Sequence, residues 1–469
     1  MEGGAPSRDV SALKARIKGT VATPSDADFA TLALGGLWNQ LRPTRLPQLI
    51  AQVRDDQDVV EAVRFARAHD LKVTVRGGGH SWCHSSLRAG GLLIDLTRLN
   101  EVVSLDREAR TAVVEPVISN REMQALLNPH GLSYPTGHCP QVKLSGYLLS
   151  GGMSWNQGAW GNGTHSVEAI DLVTPDGELI TASEDRHADY FWAARGGGSG
   201  LFAAAVRFHL RLQPLPRAMM ATDFHCPLDQ IEAVADWLAS NAGSIPANVE
   251  LSLFVLQAPP ELAAQCSDFN GKVCLVTATS FADSEEEARA GLQPLEACPV
   301  PQLSNSPPAP TDFEALFDAS GALWPEGQRS AVDALFYDAN PAELVRVTRE
   351  HFVRAPSPTT VLLFAIFTGP GVPARLPDGA FSMSARIYGG PWTMWSEPSK
   401  DAANRAWHAE CVELLEPLAV GHYIGETDIA SHPEYAARAY SAANWQRLRD
   451  LRAKHDPDGV FFSGADGLN

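Results

Sequence analysis

Two stretches of the chain concentrate residue types that can do chemistry. The first, Arg76-Gly77-Gly78-Gly79-His80-Ser81, follows the short apolar segment Lys72-Val73-Thr74-Val75. Consecutive glycines let backbone N–H groups turn inward and approach an anion, so this is a candidate phosphate nest, or simply a tight turn. It is neither a G-x-G-x-x-G fingerprint nor a Walker A loop, because no Gly-Lys-Ser/Thr follows. The second stretch runs from Gly137 through Cys139, Val142, Lys143 and Gly146 to Gly151-Gly152. Pro135, Gly137 and Pro140 make the chain around Cys139 irregular and place its thiol on a loop. A thiol there is a nucleophile if a nearby charge assists it, and otherwise a small buried group. No G-x-S-x-G elbow, no H-E-x-x-H and no papain- or caspase-like signature occurs, so hydrolase chemistry lacks its residues.

The surrounding pattern shows which elements must carry these residues. Asp58–His69 places Val59, Val63 and Ala66 on one helical face, and the strand at 72–75 then leads into the glycines. Strands are expected at 92–96, 102–105, 111–115 and 203–212. A helix is expected at 120–127, and a hairpin at 167–182 around Pro175-Asp176-Gly177. After Pro214 and Pro216 the spacing changes. Strand patterns at 249–256, 273–279, 361–367 and 381–388 alternate with helical stretches at 228–240, 284–292, 341–353 and 399–415. That order predicts an α+β protein whose second domain lays one antiparallel sheet under helices on a single face. The Pro-rich 299–310 reads as an exposed loop, and 434–454 as a final amphipathic helix.

Composition bounds the rest. The 469 residues are 45% hydrophobic and 20% charged, which fits a globular protein of two or three domains. A net charge of −18 argues against nucleic acid or an anionic membrane as partner. Seven scattered cysteines with no C-x-x-C pair disfavour a zinc site and a disulfide framework, and no metal is expected. No apolar leader is visible in Met1–Ala30 and no run is long enough to span a bilayer, so a cytoplasmic location is expected.

The order of R-G-G-G-H-S, then C-P-x-V about sixty residues later, then G-Y-L-L-x-G-G, resembles flavoproteins with a vanillyl-alcohol-oxidase-type FAD domain. More narrowly, it resembles the berberine-bridge-enzyme-like oxidoreductases. Ala169–Gly177, Asp189–Gly198 and Tyr440–Leu448 follow in register. The resemblance implies a discontinuous FAD domain over 41–216, a substrate domain over 217–429, and a C-terminal segment 430–469 returning to the first. It implies FAD bonded through His80 and Cys139. Arg76, Gly77, Gly78, Gly79, Ser81, Gly137, Val142, Gly146, Gly151, Gly152 and Asn444 would complete the cofactor site. Val142, three past the cysteine, takes the place of an oxygen-access residue.

The implied activity is an oxidase that moves hydride from an alcohol carbon of a sugar or hydroxylated natural product to flavin. Reoxidation by O2 would give H2O2. Oxidative C–C or C–N bond formation and flavin storage are the alternatives. The chain departs from the family at Lys143, where glycine is usual, and at Met153. It also departs at Tyr423-Ile424-Gly425-Glu426, where Y-x-N-Y is usual. Glu426 thus becomes the expected base, directly or by relay through Tyr423. Arg386 and Tyr388 are expected on one strand face as substrate-holding residues.

Overall fold

The computed structural model describes residues 10–372 and 375–464. The first nine residues of Met1–Ala30, where no leader is visible, and the last five of the C-terminal segment lie outside them.

Among the described residues, strands form four sheets. The first orders Thr20–Ala22, Leu49–Gln52, Leu92–Asp95 and Val73–Arg76, and the last three run parallel. This sheet begins before Leu41, because Thr20–Ala22 pairs antiparallel with Leu49–Gln52. Helix Asp56–Ala68 starts where the Asp55 side chain accepts the Asp58 N–H, and its buried Val59, Val63 and Ala66 pack with Leu92 and Ile94. Residues 460–462 return to this sheet, where Val73 exchanges hydrogen bonds with Val460 and Phe462.

The second sheet is antiparallel and orders Val102–Asp106, Thr111–Val114, Ala204–Arg211, Val167–Val173 and Leu179–Ser183. Helices Asn120–Leu127, Leu144–Leu149, Ala188–Ala194 and Ala442–His455 contribute to its core. A two-stranded sheet pairs Leu132–Ser133 with Gln213–Pro214.

The largest sheet has nine strands, antiparallel throughout. Period-two alternation gives it two different faces. Leu251, Leu253 and Val255 of strand Val249–Gln257 point into a core covered by helices Ile231–Asn241, Glu285–Glu296, Pro341–Val353 and Asp401–Leu415. Phe254 joins an aromatic cluster on the opposite face, with Phe336, Phe381, Tyr388 and Tyr423. The fold is α+β.

Two segments differ from expectation. Ser304–Pro310 is not a loop but the edge strand of the large sheet, where prolines need no ladder partner on their outer side. The strand expected at 381–388 instead spans Ile387–Trp395. Gly389-Gly390-Pro391 hid it. Gly389 is required there, since a Cβ would lie 1.9 Å from the Leu363 carbonyl oxygen of the neighbouring strand.

Candidate active site

Strand Val73–Arg76 delivers the glycine segment, and its last residue fixes where the chain leaves the sheet. The Arg76 guanidinium is buried and donates to Asp95 Oδ2 at 2.7 Å and to the carbonyls of Leu32 and Ala33. Arg76 is therefore an anchor facing away from the site, not a cofactor ligand. Removing either partner of such a pair strands a buried charge, at about 3–5 kcal/mol. Beyond it the glycines pass so close to the 143–145 segment that a Cβ on Gly77 would lie 2.0 Å from Ser145 Oγ. One on Gly78 would lie 2.2 Å from Lys143 Cγ. Between these segments opens a cavity of about 240 Å³, also lined by Ser81, Gly146 and the buried Arg88.

His80 lines this cavity. Its ring sits 4.9 Å from Trp38 and 5.9 Å, edge-on, from Trp82. Burial pushes its pKa down to about 4, so the imidazole is neutral at pH 7. Its Nε2 is buried and has no hydrogen-bond partner.

The Cys139 loop hangs from the first turn of helix Asn120–Leu127. Asn120 Nδ2 donates to the Cys139 carbonyl at 2.9 Å, and the Asn120 and Arg121 N–H groups donate to Val142 and Pro140. These are amides that a helix start leaves without partners in the helix itself. A capping box between Ser119 and Glu122 fixes that turn. Lys143 lines the cavity with its stem, while its ammonium reaches back to Glu122 at 3.1 Å. Cys139 is a free thiol, and burial with the nearby Glu426 carboxyl pushes its pKa up to about 12. It is not a standing thiolate.

A second cavity, about 360 Å³, lies between this loop and the open face of the large sheet. Its near wall includes the segment after strand Ala419–His422. Tyr423 N–H donates to the Ala334 carbonyl, Ala334 N–H donates to Glu426, and Asp428 N–H donates to Asp333. Tyr423 Oη accepts the Gly152 N–H at 3.2 Å. The Tyr388 hydroxyl donates to Glu426 Oε2. Burial raises the Glu426 carboxyl above its usual range, and burial with the Glu426 charge holds the Tyr388 phenol well above its own. Cys139, Val142, Tyr147, Tyr423 and Glu426 line both cavities. They form the shared wall.

Several expected residues stand elsewhere. Asn444 caps the 379–380 segment through its side-chain amide, 2.9 Å from the Gly379 carbonyl, and lines neither cavity. Arg386 is exposed and precedes its strand, so it shares no face with Tyr388. Gly137 lines the second cavity, while Gly151 and Gly152 back the wall behind Tyr423. Glu426 pairs with Tyr388 rather than Tyr423. Arg88, Glu250 and Trp155 were not anticipated. A buried arginine shortly after the glycine segment and an acid inside an apolar strand pattern were the available signals.

A family described as an FAD binding domain matches residues 47–183. Over nine-tenths of its length the chain is 29% identical to the FAD-linked oxidoreductase ptmO of Penicillium ochrochloron, covering 90% of that protein. It is 26% identical to nodO of Hypoxylon pulicicidum, also named an FAD-linked oxidoreductase, covering 92% of this chain and 94% of that one. The chain is an FAD-linked oxidoreductase. The oxidoreductase shares its fold with the BBE-like 1 protein of Physcomitrella patens (TM-score 0.83, 17% identity, 98% and 99% of the two chains). It also shares it with 6-hydroxy-D-nicotine oxidase of Arthrobacter nicotinovorans (TM-score 0.80, 19% identity, 97% and 98%). The first cavity fits FAD on physical grounds: a glycine-edged backbone, a buried arginine and a neutral histidine whose buried Nε2 has no partner. No helix among the described residues is long and apolar enough to cross a membrane.

Proposed function

We propose that the enzyme is an oxidase acting at a carbinol C–H bond of a small molecule, with O2 as the final acceptor and H2O2 as product. The shared wall between the two cavities is the observation that supports this reading. It brings a carboxylate, Glu426, to the boundary between the cofactor side and the substrate side. Flavin held in the first cavity would supply the hydride acceptor and the redox route to oxygen.

The chain's own residues do the rest. Neutral His80 and the Cys139 thiol are the side chains we assign to covalent attachment, each on a rigid backbone that fixes its position. Loss of hydride from a carbinol leaves a cationic carbon unless the hydroxyl proton departs too. Glu426 takes that proton at its carboxylate, and the Tyr388 hydroxyl orients the carboxylate by donating to Oε2. A carboxyl raised by burial is a stronger base than one in water, which suits the task. Edge-to-face contacts of Phe336, Phe381 and Tyr423 close the wall against water.

A panel of primary and secondary alcohols should contain one that bleaches the wild-type flavin anaerobically and yields H2O2 in air. With that alcohol, Glu426→Gln should slow single-turnover flavin reduction by about 10²–10⁴-fold while retaining flavin. Reduction at the wild-type rate would move the base elsewhere.

A further inference from the structure

The second cavity carries a charge pattern that carbinol oxidation does not require. Its acidic lining comprises Asp223, Glu250 and Glu426, and among the described residues no lysine or arginine lines it. Register puts two of these acids on one face. Asp223 pairs with Thr277 and Glu250 with Thr279 on the strand between them, and residues two apart on a strand share a face. His138 Nε2 lies 3.2 Å from Glu250 Oε1, whereas Glu250 Oε2 is buried with no hydrogen-bond partner. Four more lining atoms are in the same condition, Asn120 Oδ1, Trp155 Nε1, Ser320 Oγ and Trp324 Nε1, with Ser320 and Trp155 only 5% and 9% exposed.

A buried carboxylate oxygen without a donor is costly unless a ligand supplies one. The neighbouring walls narrow the chemistry of that donor. Trp155, Trp324, Trp392 and Phe254 line the cavity, and aromatic faces attract cations and cover apolar rings. An anion is repelled by these acids, and a neutral hydroxyl can donate to one of them but gains nothing from the electron-rich ring faces. A cation gains from both the acids and the rings.

We propose that the substrate carries a protonated amine on an apolar, ring-containing body, with an ammonium N–H donating to Glu250 Oε2 while Glu426 serves the reacting carbinol. This rests on the carbinol-oxidase reading and names the substrate class for the same site. His138 holds the other carboxylate oxygen, so Glu250 is an orienting anchor rather than a proton acceptor in the reaction.

The test uses the flavin-loaded enzyme at pH 7 and two probes of similar shape, 4-(aminomethyl)benzyl alcohol and 4-ethylbenzyl alcohol. Anaerobic titration followed by calorimetry and by the flavin absorbance reads binding apart from turnover. The amine should bind about tenfold or more tightly than its neutral counterpart, as expected for a charge-assisted hydrogen bond. Glu250→Gln should abolish the difference and leave binding of the neutral probe unchanged. Equal or weaker binding of the amine to the wild type overturns the proposal without recourse to any variant. Retention of the amine preference by Glu250→Gln overturns it as well. Amine preference without flavin bleaching by either alcohol upholds the anchor and counts instead against carbinol oxidation.

Discussion

Gly79 is the position where the glycine segment meets a second backbone, and replacing it with alanine separates a structural requirement from a tolerance. Its φ is +69°, in the left-handed region, which costs a residue with a Cβ about 1–2 kcal/mol. The new methyl would lie 2.5 Å from the Gly36 carbonyl oxygen and 3.1 Å from its carbon. Both are backbone atoms, and the Gly79 carbonyl is itself tied to the Trp38 N–H at 3.1 Å. Neither chain can swing aside as a flexible side chain would, so overpacking adds about 1–3 kcal/mol. The sum, about 2–5 kcal/mol, lowers the apoprotein midpoint by roughly 5–12 °C for a melting unit of about 200 residues. The shift also moves Trp38 away from His80, and covalent flavin content should fall with it. Gly146→Ala is the comparator, because nothing lies within 4 Å of its Cβ and it sits in helix Leu144–Leu149. Its apoprotein should melt at or slightly above the wild-type midpoint. Differential scanning calorimetry of the apoproteins, with acid-precipitated flavin per chain, decides the matter. A Gly79→Ala protein that melts within a degree of wild type and loads flavin fully would refute the reasoning.

The attachment assignment predicts that His80→Ala and Cys139→Ala each keep flavin fluorescence on a denaturing gel, while the double variant loses it. Intact mass should show the same. Val142 borders both cavities, so Val142→Ile should slow reoxidation of the reduced enzyme by O2 at least about tenfold in stopped flow. Burial lowers His84 and His422 to about 4, below the unfolded value near 6.5. As pH falls through 6.5 the unfolded chain takes up protons that the folded one excludes. Their stability contribution is therefore complete above about pH 6.5 and lost towards pH 4, on the order of 3 kcal/mol each. Urea unfolding that is flat from pH 7 to 4.5 would contradict this.

The cofactor side was legible because its parts are contiguous. A glycine triplet, a histidine beside it and a cysteine among prolines announce themselves within a few residues, and the resemblance added their order along the chain. Direction was not legible. Arg76 and Asn444 stand inside recognisable segments, yet one side chain turns to Asp95 and the other to a loop carbonyl. A motif gives a position on the chain, and which way the side chain points depends on neighbours far off in sequence. The same limit applies to the proposed base. Glu426 looked close to Tyr423 because they are three residues apart. Its partner is Tyr388, brought over by strand Ile387–Trp395, whose glycines and proline broke the apolar pattern that would have revealed it.

The two cavities are built from different material, and this decides where the enzyme can vary. The flavin side is edged by backbone. A side chain at Gly79 meets the Gly36 backbone and must move that segment, while one at Gly77 or Gly78 meets the Ser145 or Lys143 side chain and must displace it. The substrate side is walled by side chains on one face of a sheet whose other face is locked by Leu251, Leu253 and Val255 under helices. Because alternate residues face opposite ways, Glu250, Ser252 and Thr277 can be exchanged without entering that core. The residues proposed for attachment thus stand among positions where a change is costly. On the proposed reading, substrate choice rests on positions that cost little stability to alter, and Glu250, whose Oε2 lacks any partner in the protein, is the one whose exchange should change that choice most.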